Sequence, residues 1–195
     1  MTTIEVRPVQ SARERRCFLT FPWCVYGDDA LWVPPLIPDR ARVIDPQRGS
    51  FFQHGEAEFF IAWRDGEPVG TVCAAEDTKT NQARGKQECV FGFLEYVEDY
   101  AVFEALIQRV IAWARPRGLN ALFGPFNLDY EDSYGVLIAG RDRPPALLCG
   151  HSPPYYQRFM ERRGFEAAHG DNIALAIDIT ERTPPLQRLS RLADK

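Results

Sequence analysis

The sequence predicts an α/β domain, a mixed sheet with helices on both faces. Two observations lead there. Residues 59–63 and 69–75 are apolar, strand-like runs joined by Arg64-Asp65-Gly66-Glu67, and Asp-Gly between two such runs signals a hairpin. Farther on, Phe103, Leu106, Ile107, Val110, Ile111 and Ala114 recur at helical spacing. A hairpin followed by a long amphipathic helix between further strand-like runs builds a layered α/β domain.

Each element follows from local chemistry. Residues 4–8 alternate apolar and polar, as a short strand does. Ser11 with Glu14 three residues later makes a capping box, so a helix is expected over residues 12–26. Trp32-Val33-Pro34-Pro35-Leu36 forces an extended turn. Residues 37–56 read as irregular, with Asp45-Pro46 and Gly49-Ser50 as turn signals. Residues 89–97 form a third strand of the central set. The long helix stops at Pro116 and Gly118, and residues 121–126 read as a strand. Residues 154–163 read as a short helix closed by Gly164, and 173–179 as a last strand. The expected order is β-α-β-β-β-α-β-α-β, with the strands near 90–97 and 121–126 adjacent and parallel. One domain is expected over residues 1–180. Residues 181–195 form a linker or tail, whose Leu186, Leu189 and Leu192 stand at helical spacing.

Composition narrows the function classes. The chain has 195 residues, 45% of them hydrophobic, enough for a real core. The net charge is −4 and no Lys/Arg cluster occurs, which argues against a nucleic-acid partner. No run approaches the length of a membrane span, and no apolar leader opens the chain, so a cytoplasmic location is expected. The 5 cysteines and 3 histidines are scattered without ligand spacing, so no metal is expected.

Five local patterns carry a resemblance. They are Trp32-Val33-Pro34-Pro35-Leu36, Phe51-Phe52-Gln53-His54-Gly55-Glu56, Phe91-Gly92-Phe93-Leu94-Glu95, Gly124-Pro125-Phe126-Asn127 and Pro153-Pro154-Tyr155-Tyr156. With the element order, they resemble the acyl-CoA N-acyltransferase (GNAT) superfamily, and within it the N-terminal domain of bacterial ceramide synthase-like proteins. That resemblance implies an acyl-CoA or acetyl-CoA co-substrate and a small-molecule amine or lipid precursor as acceptor. It also implies a second GNAT-like domain bearing the more typical CoA motif.

Typical members bind the CoA pyrophosphate on a Gly-rich turn at the N-terminus of the central helix. The matching turn here, Val97-Glu98-Asp99-Tyr100-Ala101, has no glycine and carries two carboxylates. Carboxylates there suit helix caps better than a phosphate site, so this chain alone is expected to bind acetyl-CoA weakly or not at all. The family's thiolate-protonating tyrosine falls on Met160. Tyr155 and Tyr156, one turn earlier, are the substitutes, set against a reading as a packed helix start.

His54 and Glu56 are polar candidates in a loop, where a histidine beside a carboxylate can act as a base; a histidine satisfied by loop backbone is the plainer reading. Asn127, Asp129, Glu131, Asp132 and Ser133 follow a strand at the expected splay of the sheet, and turn chemistry explains them equally well. The catalytic candidates are therefore His54, Glu56 and Tyr156. The substrate-binding candidates are Asn127, Asp132, Ser133 and Tyr155, with His54 and Asn127 expected to face one cleft. The function expected is the substrate-side or scaffolding half of a larger N-acyltransferase. The alternative is a non-catalytic binding module that keeps the fold.

Overall fold

The computed structural model describes residues 3–128, 133–146 and 149–175. Its centre is a mixed five-stranded sheet in the order β1-β2-β3-β4-β5. β1 (Ile4–Pro8), β2 (Gly55–Arg64), β3 (Glu67–Asp77) and β4 (Glu88–Tyr96) run antiparallel to their neighbours, and β5 (Ala121–Phe123) lies parallel to β4. The hairpin forms where Asp65-Gly66 predicts it. Both turn residues take positive φ, 52° and 85°, which Asp and Gly tolerate. A parallel neighbour needs a crossover, and α5 (Tyr100–Ala114) supplies it between β4 and β5.

Helices cover both faces, as the pattern predicts. On one face α5 buries Val102, Phe103, Leu106, Ile107, Val110, Trp113 and Ala114 against Phe60, Val72, Phe91 and Tyr96 of the sheet. This core also takes Tyr155, Tyr156, Phe159 and Met160 of α6 (Pro154–Arg163). On the other face, Phe18, Leu19, Ile44 and Phe51 pack over Ile61, Cys73, Ala75 and Phe93.

Four expectations need correction. The first helix is broken into α1 (Ala12–Thr20) and α2 (Pro22–Tyr26), because Pro22 has no N–H to continue the ladder. Its capping box is present: Glu14 N–H donates to Ser11 Oγ at 3.1 Å and Ser11 N–H to Glu14 Oε2 at 2.9 Å. The stretch read as irregular holds α3 (Ile37–Val43) and a 3₁₀ turn (Ser50–Gln53). A further helix, α4 (Thr78–Arg84), is capped by Asp77, whose carboxylate accepts from Thr80 N–H at 2.8 Å. Residues 124–126 are not strand, since β5 ends at Phe123 before the cis Gly124–Pro125 bond. Residues 173–175 carry no strand; 176–179 and the tail at 181–195 lie outside the described residues.

The segment after β5 closes tightly on β4. Phe126 N–H donates to Phe91 O at 2.8 Å. A Cβ on Gly92 would stand 2.0 Å from Phe126 O and 3.0 Å from Asn127 Cα, so only glycine admits this approach. Gly92→Ala is expected to cost about 1–3 kcal/mol or more by overpacking. Gly170→Ala, where an added Cβ meets nothing within 4 Å, is the neutral control. Thermal unfolding of the two variants checks this, and equal midpoints would refute the close-approach argument.

Candidate functional site

The site begins with a fault in β4. Along that strand Cys89 and Phe91 point into the α5 core, and strict alternation would send residues 93 and 95 there too. Instead the β3–β4 register slips between Thr71 and Cys73, and Phe93 adopts φ 47°. Phe93 then packs with the opposite core while Leu94 and Tyr96 return to the α5 side. This is a β-bulge, and it re-aims every side chain beyond it. Its strained backbone is held on both sides: Phe93 N–H donates to Asn127 Oδ1 at 2.6 Å, and Thr71 Oγ1 donates to Phe93 O at 2.9 Å. A left-handed phenylalanine persists only where its surroundings over-determine it.

The residue the bulge turns round is Glu95. Tyr26 of α2 donates its hydroxyl to Glu95 Oε2 at 2.7 Å, and Tyr156 of α6 donates to the same oxygen at 2.8 Å. Burial raises the Glu95 carboxyl from its ordinary 4.5 to about 7, and the phenol bonds and the Arg40 charge pull back against that rise. Both tyrosines are pushed well above the usual phenol range, first by burial and then by the Glu95 charge. They therefore remain donors. Tyr26 stacks on Trp32 at 5.2 Å.

The edge of β4 beyond the bulge is also satisfied internally. Tyr96 N–H donates to Tyr156 Oη at 3.0 Å, and Tyr155 hydroxyl donates to Tyr96 O at 2.7 Å. Tyr155 and Tyr156 are thus both buried helix-start residues and polar partners of β4. Four of the five sequence patterns meet here, through Trp32, Glu95, Asn127 and Tyr156.

The fifth pattern lies elsewhere. His54 sits before β2 at the far end of the sheet, its Nε2 3.8 Å from Asp77 Oδ2 and its carbonyl accepting from Thr78 Oγ1 at 2.6 Å. The carboxylate beside His54 is Asp77, not Glu56. Glu56 points to the α5 face, where it pairs with Arg117 at 2.6 Å, and Arg117 in turn covers the Trp113 ring. Asn127 is instead placed midway along β4 at Phe93. Ser133 is half-buried beside Gly150. Asp132, Asp129 and Glu131 lie outside the described residues. Among the described residues no group of three or more His, Cys, Asp or Glu could hold a metal, and no helix is long and apolar enough to cross a membrane.

The N-terminus of α5 is occupied by the chain itself. Asp99 Oδ1 accepts from Ala101 N–H at 2.8 Å, and its other oxygen pairs with Arg64. Arg64 holds the Asp99 carboxyl below its ordinary value. Glu98 pairs with Arg158 at 2.7 Å, and Arg162 lies over the Tyr100 ring. The cap reading of this turn therefore holds in the structure.

A mixed sheet with an α5 crossover and helices on both faces is shared with solved acyltransferases. A tandem GNAT protein from the clavulanic acid biosynthesis pathway superposes with TM-score 0.52 at 14% identity, covering 83% of this chain and 43% of that one. A predicted acetyltransferase from Clostridium acetobutylicum, solved with acetyl-CoA, gives TM-score 0.51 at 10% identity over 92% of this chain and 99% of that one. The chain has the GNAT fold. By sequence, the chain is 34% identical over 184 residues to the bacterial ceramide synthase of Caulobacter vibrioides, covering 94% of this chain and 48% of that protein. It is 31% identical over 160 residues to protein YghO of Escherichia coli, covering 82% of this chain and 41% of that one. The chain thus spans about half the length of the curated relatives it matches. No family model matches it.

The Glu95 environment makes stability depend on pH. The folded protein keeps a proton on this carboxyl up to about 7, whereas the unfolded chain releases it near 4.5. Between those values the native state binds more protons, so this group's contribution to stability falls as pH rises. Glu95→Gln is expected to flatten that part of the pH–melting profile. An unchanged slope in the variant would show that Glu95 titrates normally.

Proposed function

We propose that this chain is the amine-side half of a GNAT-type N-acyltransferase, working with a second GNAT-like domain that holds the acyl-CoA. The observation that carries the reading is Glu95, a carboxyl poised near neutrality at the end of β4 and gripped by Tyr26 and Tyr156. A general base works best when its pKa lies near the working pH. In this role Glu95 takes the proton of the acceptor ammonium, the freed nitrogen lone pair attacks the thioester carbonyl, the C–S bond breaks, and the departing thiolate takes up the second proton lost by the nitrogen. Tyr26 and Tyr156 fix the carboxylate, and Asn127 holds the bulge that aims it. Tyr155 ties α6 to the same strand. His54 and Glu56 lie at the other end of β2 and have no part in this site.

The division of labour is supported by the α5 N-terminus. Acyl-CoA phosphates need free N–H groups and positive potential there. Asp99 caps the helix and Glu98 stands beside it, each already paired with an arginine. A tandem arrangement is present in the solved GNAT protein of the clavulanic acid pathway, and an acyl-CoA donor fits the neighbour solved with acetyl-CoA. The name of the Caulobacter relative supports an amine on a lipid precursor as acceptor. The same closed α5 N-terminus favours a second reading, a binding module without catalysis.

Isothermal titration with acetyl-CoA and with a long-chain acyl-CoA tests the division. Weak or undetectable binding to this chain is expected. Micromolar binding that is lost on a charge change at Glu98 or Asp99 would instead establish a self-sufficient enzyme. In an assembly with its acyl-CoA-bearing partner, Glu95→Gln is expected to lower the rate by roughly 10²–10⁴-fold, the usual share of a general base. Unaltered turnover would leave the binding-module reading.

A further inference from the structure

A second acid–base group stands next to Glu95. His151 lies just before α6, with Nε2 2.7 Å from Asp29 Oδ2 and a side chain only 8% exposed. The His151 hydrogen bond is the first cause holding the Asp29 carboxyl below its ordinary value, so Asp29 is ionised near neutrality and can only accept. The ring nitrogen facing it must carry the hydrogen. In the neutral ring that fixes Nδ1 as a lone-pair acceptor. Nδ1 is buried and has no hydrogen-bond partner among the described residues. Buried acceptors left unpaired are rare and costly, and one that persists calls for an explanation.

The surroundings keep His151 where it is. Its ring packs edge-on against Tyr26 at 5.7 Å, and its carbonyl oxygen lies 3.1 Å from the Tyr26 hydroxyl oxygen. That hydroxyl is the one bonded to Glu95 Oε2, which ties the two acid–base groups through a single side chain. On the C-terminal side, Leu137 N–H donates to Ser152 Oγ at 2.9 Å and pins the backbone. Both phenols bond Glu95 at Oε2, on a side chain that is only half-buried, so Oε1 is the carboxyl oxygen they do not use.

We propose that His151, oriented by Asp29, is a ligand-binding residue of the Glu95 site, its Nδ1 accepting an O–H or N–H carried next to the reacting amine. This rests on the amine reading above. Glu95 Oε1 takes the ammonium and His151 Nδ1 takes the neutral donor, so the site selects an amine with an adjacent hydrogen-bond donor over a plain alkylamine. A site built with a buried acceptor rejects a ligand that leaves it unfilled. The bond itself discriminates by up to about tenfold in affinity.

Two probes that differ by one hydroxyl test this: ethylamine and 2-aminoethanol, titrated into the labelled protein above neutral pH. The carboxyl carbon of Glu95 and the imidazole nitrogens of His151 are followed by NMR. Both amines are expected to move Glu95, and only 2-aminoethanol to move His151 Nδ1, with up to about tenfold tighter binding. If both amines move Glu95 and neither, or both equally, moves Nδ1, the inference fails and the amine reading stands. If neither moves Glu95, the amine reading fails and takes the inference with it. His151→Gln, which keeps a donor toward Asp29 but removes the ring acceptor, is expected to bind both probes equally while Glu95 still responds. Asp29→Asn, which changes only the orienting carboxylate, is the second variant should the first unfold. It is expected to reduce the preference for 2-aminoethanol, and an undiminished preference would overturn the role given to Asp29 and His151.

Discussion

The bulge at Phe93 is the constraint on which the site depends. A strand with unbroken alternation would bury Glu95 under α5, beside Phe103 and Leu106, where a carboxyl has no partner. One slip in register sends it instead to α2 and the start of α6. The slip is held by side chains from two other parts of the chain: Thr71 of β3 on the carbonyl and Asn127, in the segment after β5, on the N–H. Gly92 makes the bend possible by letting the chain at Phe126 close on β4 without a Cβ in the way. Backbone strain, close packing and the position of one acid are therefore parts of a single arrangement.

Charge is distributed to match. At the α5 N-terminus each carboxylate has its own arginine, which leaves a neutral, capped helix end. Around Glu95 hydrogen bonds matter more than the Arg40 charge. The carboxyl is surrounded by phenols, whose hydroxyls stabilise it without neutralising it, and burial keeps its proton affinity high. The His151–Asp29 pair lies at the edge of the same cluster with Asp29 39% exposed on the side chain, so one member meets solvent and the other does not. Two acidic regions of one small domain thus behave differently because of what faces them.

Much of the fold was legible in the sequence because it depends on local chemistry. The Asp65-Gly66 turn, the Ser11–Glu14 capping box, the helical spacing of α5 and the closing Gly164 each act within a few residues. α3 and α4 were missed for a related reason. Both are seven-residue helices, too short to display a period, and they are stabilised by caps and tertiary contacts rather than by a repeating apolar face. The break at Pro22 was readable in principle, since the proline stands in the middle of an otherwise helical stretch. The site was legible only as fragments. Trp32, Glu95, Asn127 and Tyr156 each fell within a noted pattern, and glycine inside the β4 run is a recognised sign of a bulge. Nothing along the chain tells that these patterns meet, or that His54 and Glu56, two residues apart, point to opposite faces of the sheet.

The sequence by itself determined an α/β sheet with a parallel β4–β5 pair and a carboxylate cap at the α5 N-terminus. Both follow from side-chain period, turn chemistry or charge at a known position in a helix, while the resemblance to the GNAT fold came from five local patterns in the expected order. Tertiary structure alone decided which carboxyl has its proton affinity raised towards neutrality. A pKa near 7 for Glu95 requires burial and two phenols brought from residues 26 and 156, far apart in the chain. Nδ1 of His151 is likewise the acceptor of the neutral ring only because Asp29, 122 residues away, claims the other ring nitrogen. Local pattern fixes elements, but proton affinity and tautomer are set by what folding places around a group.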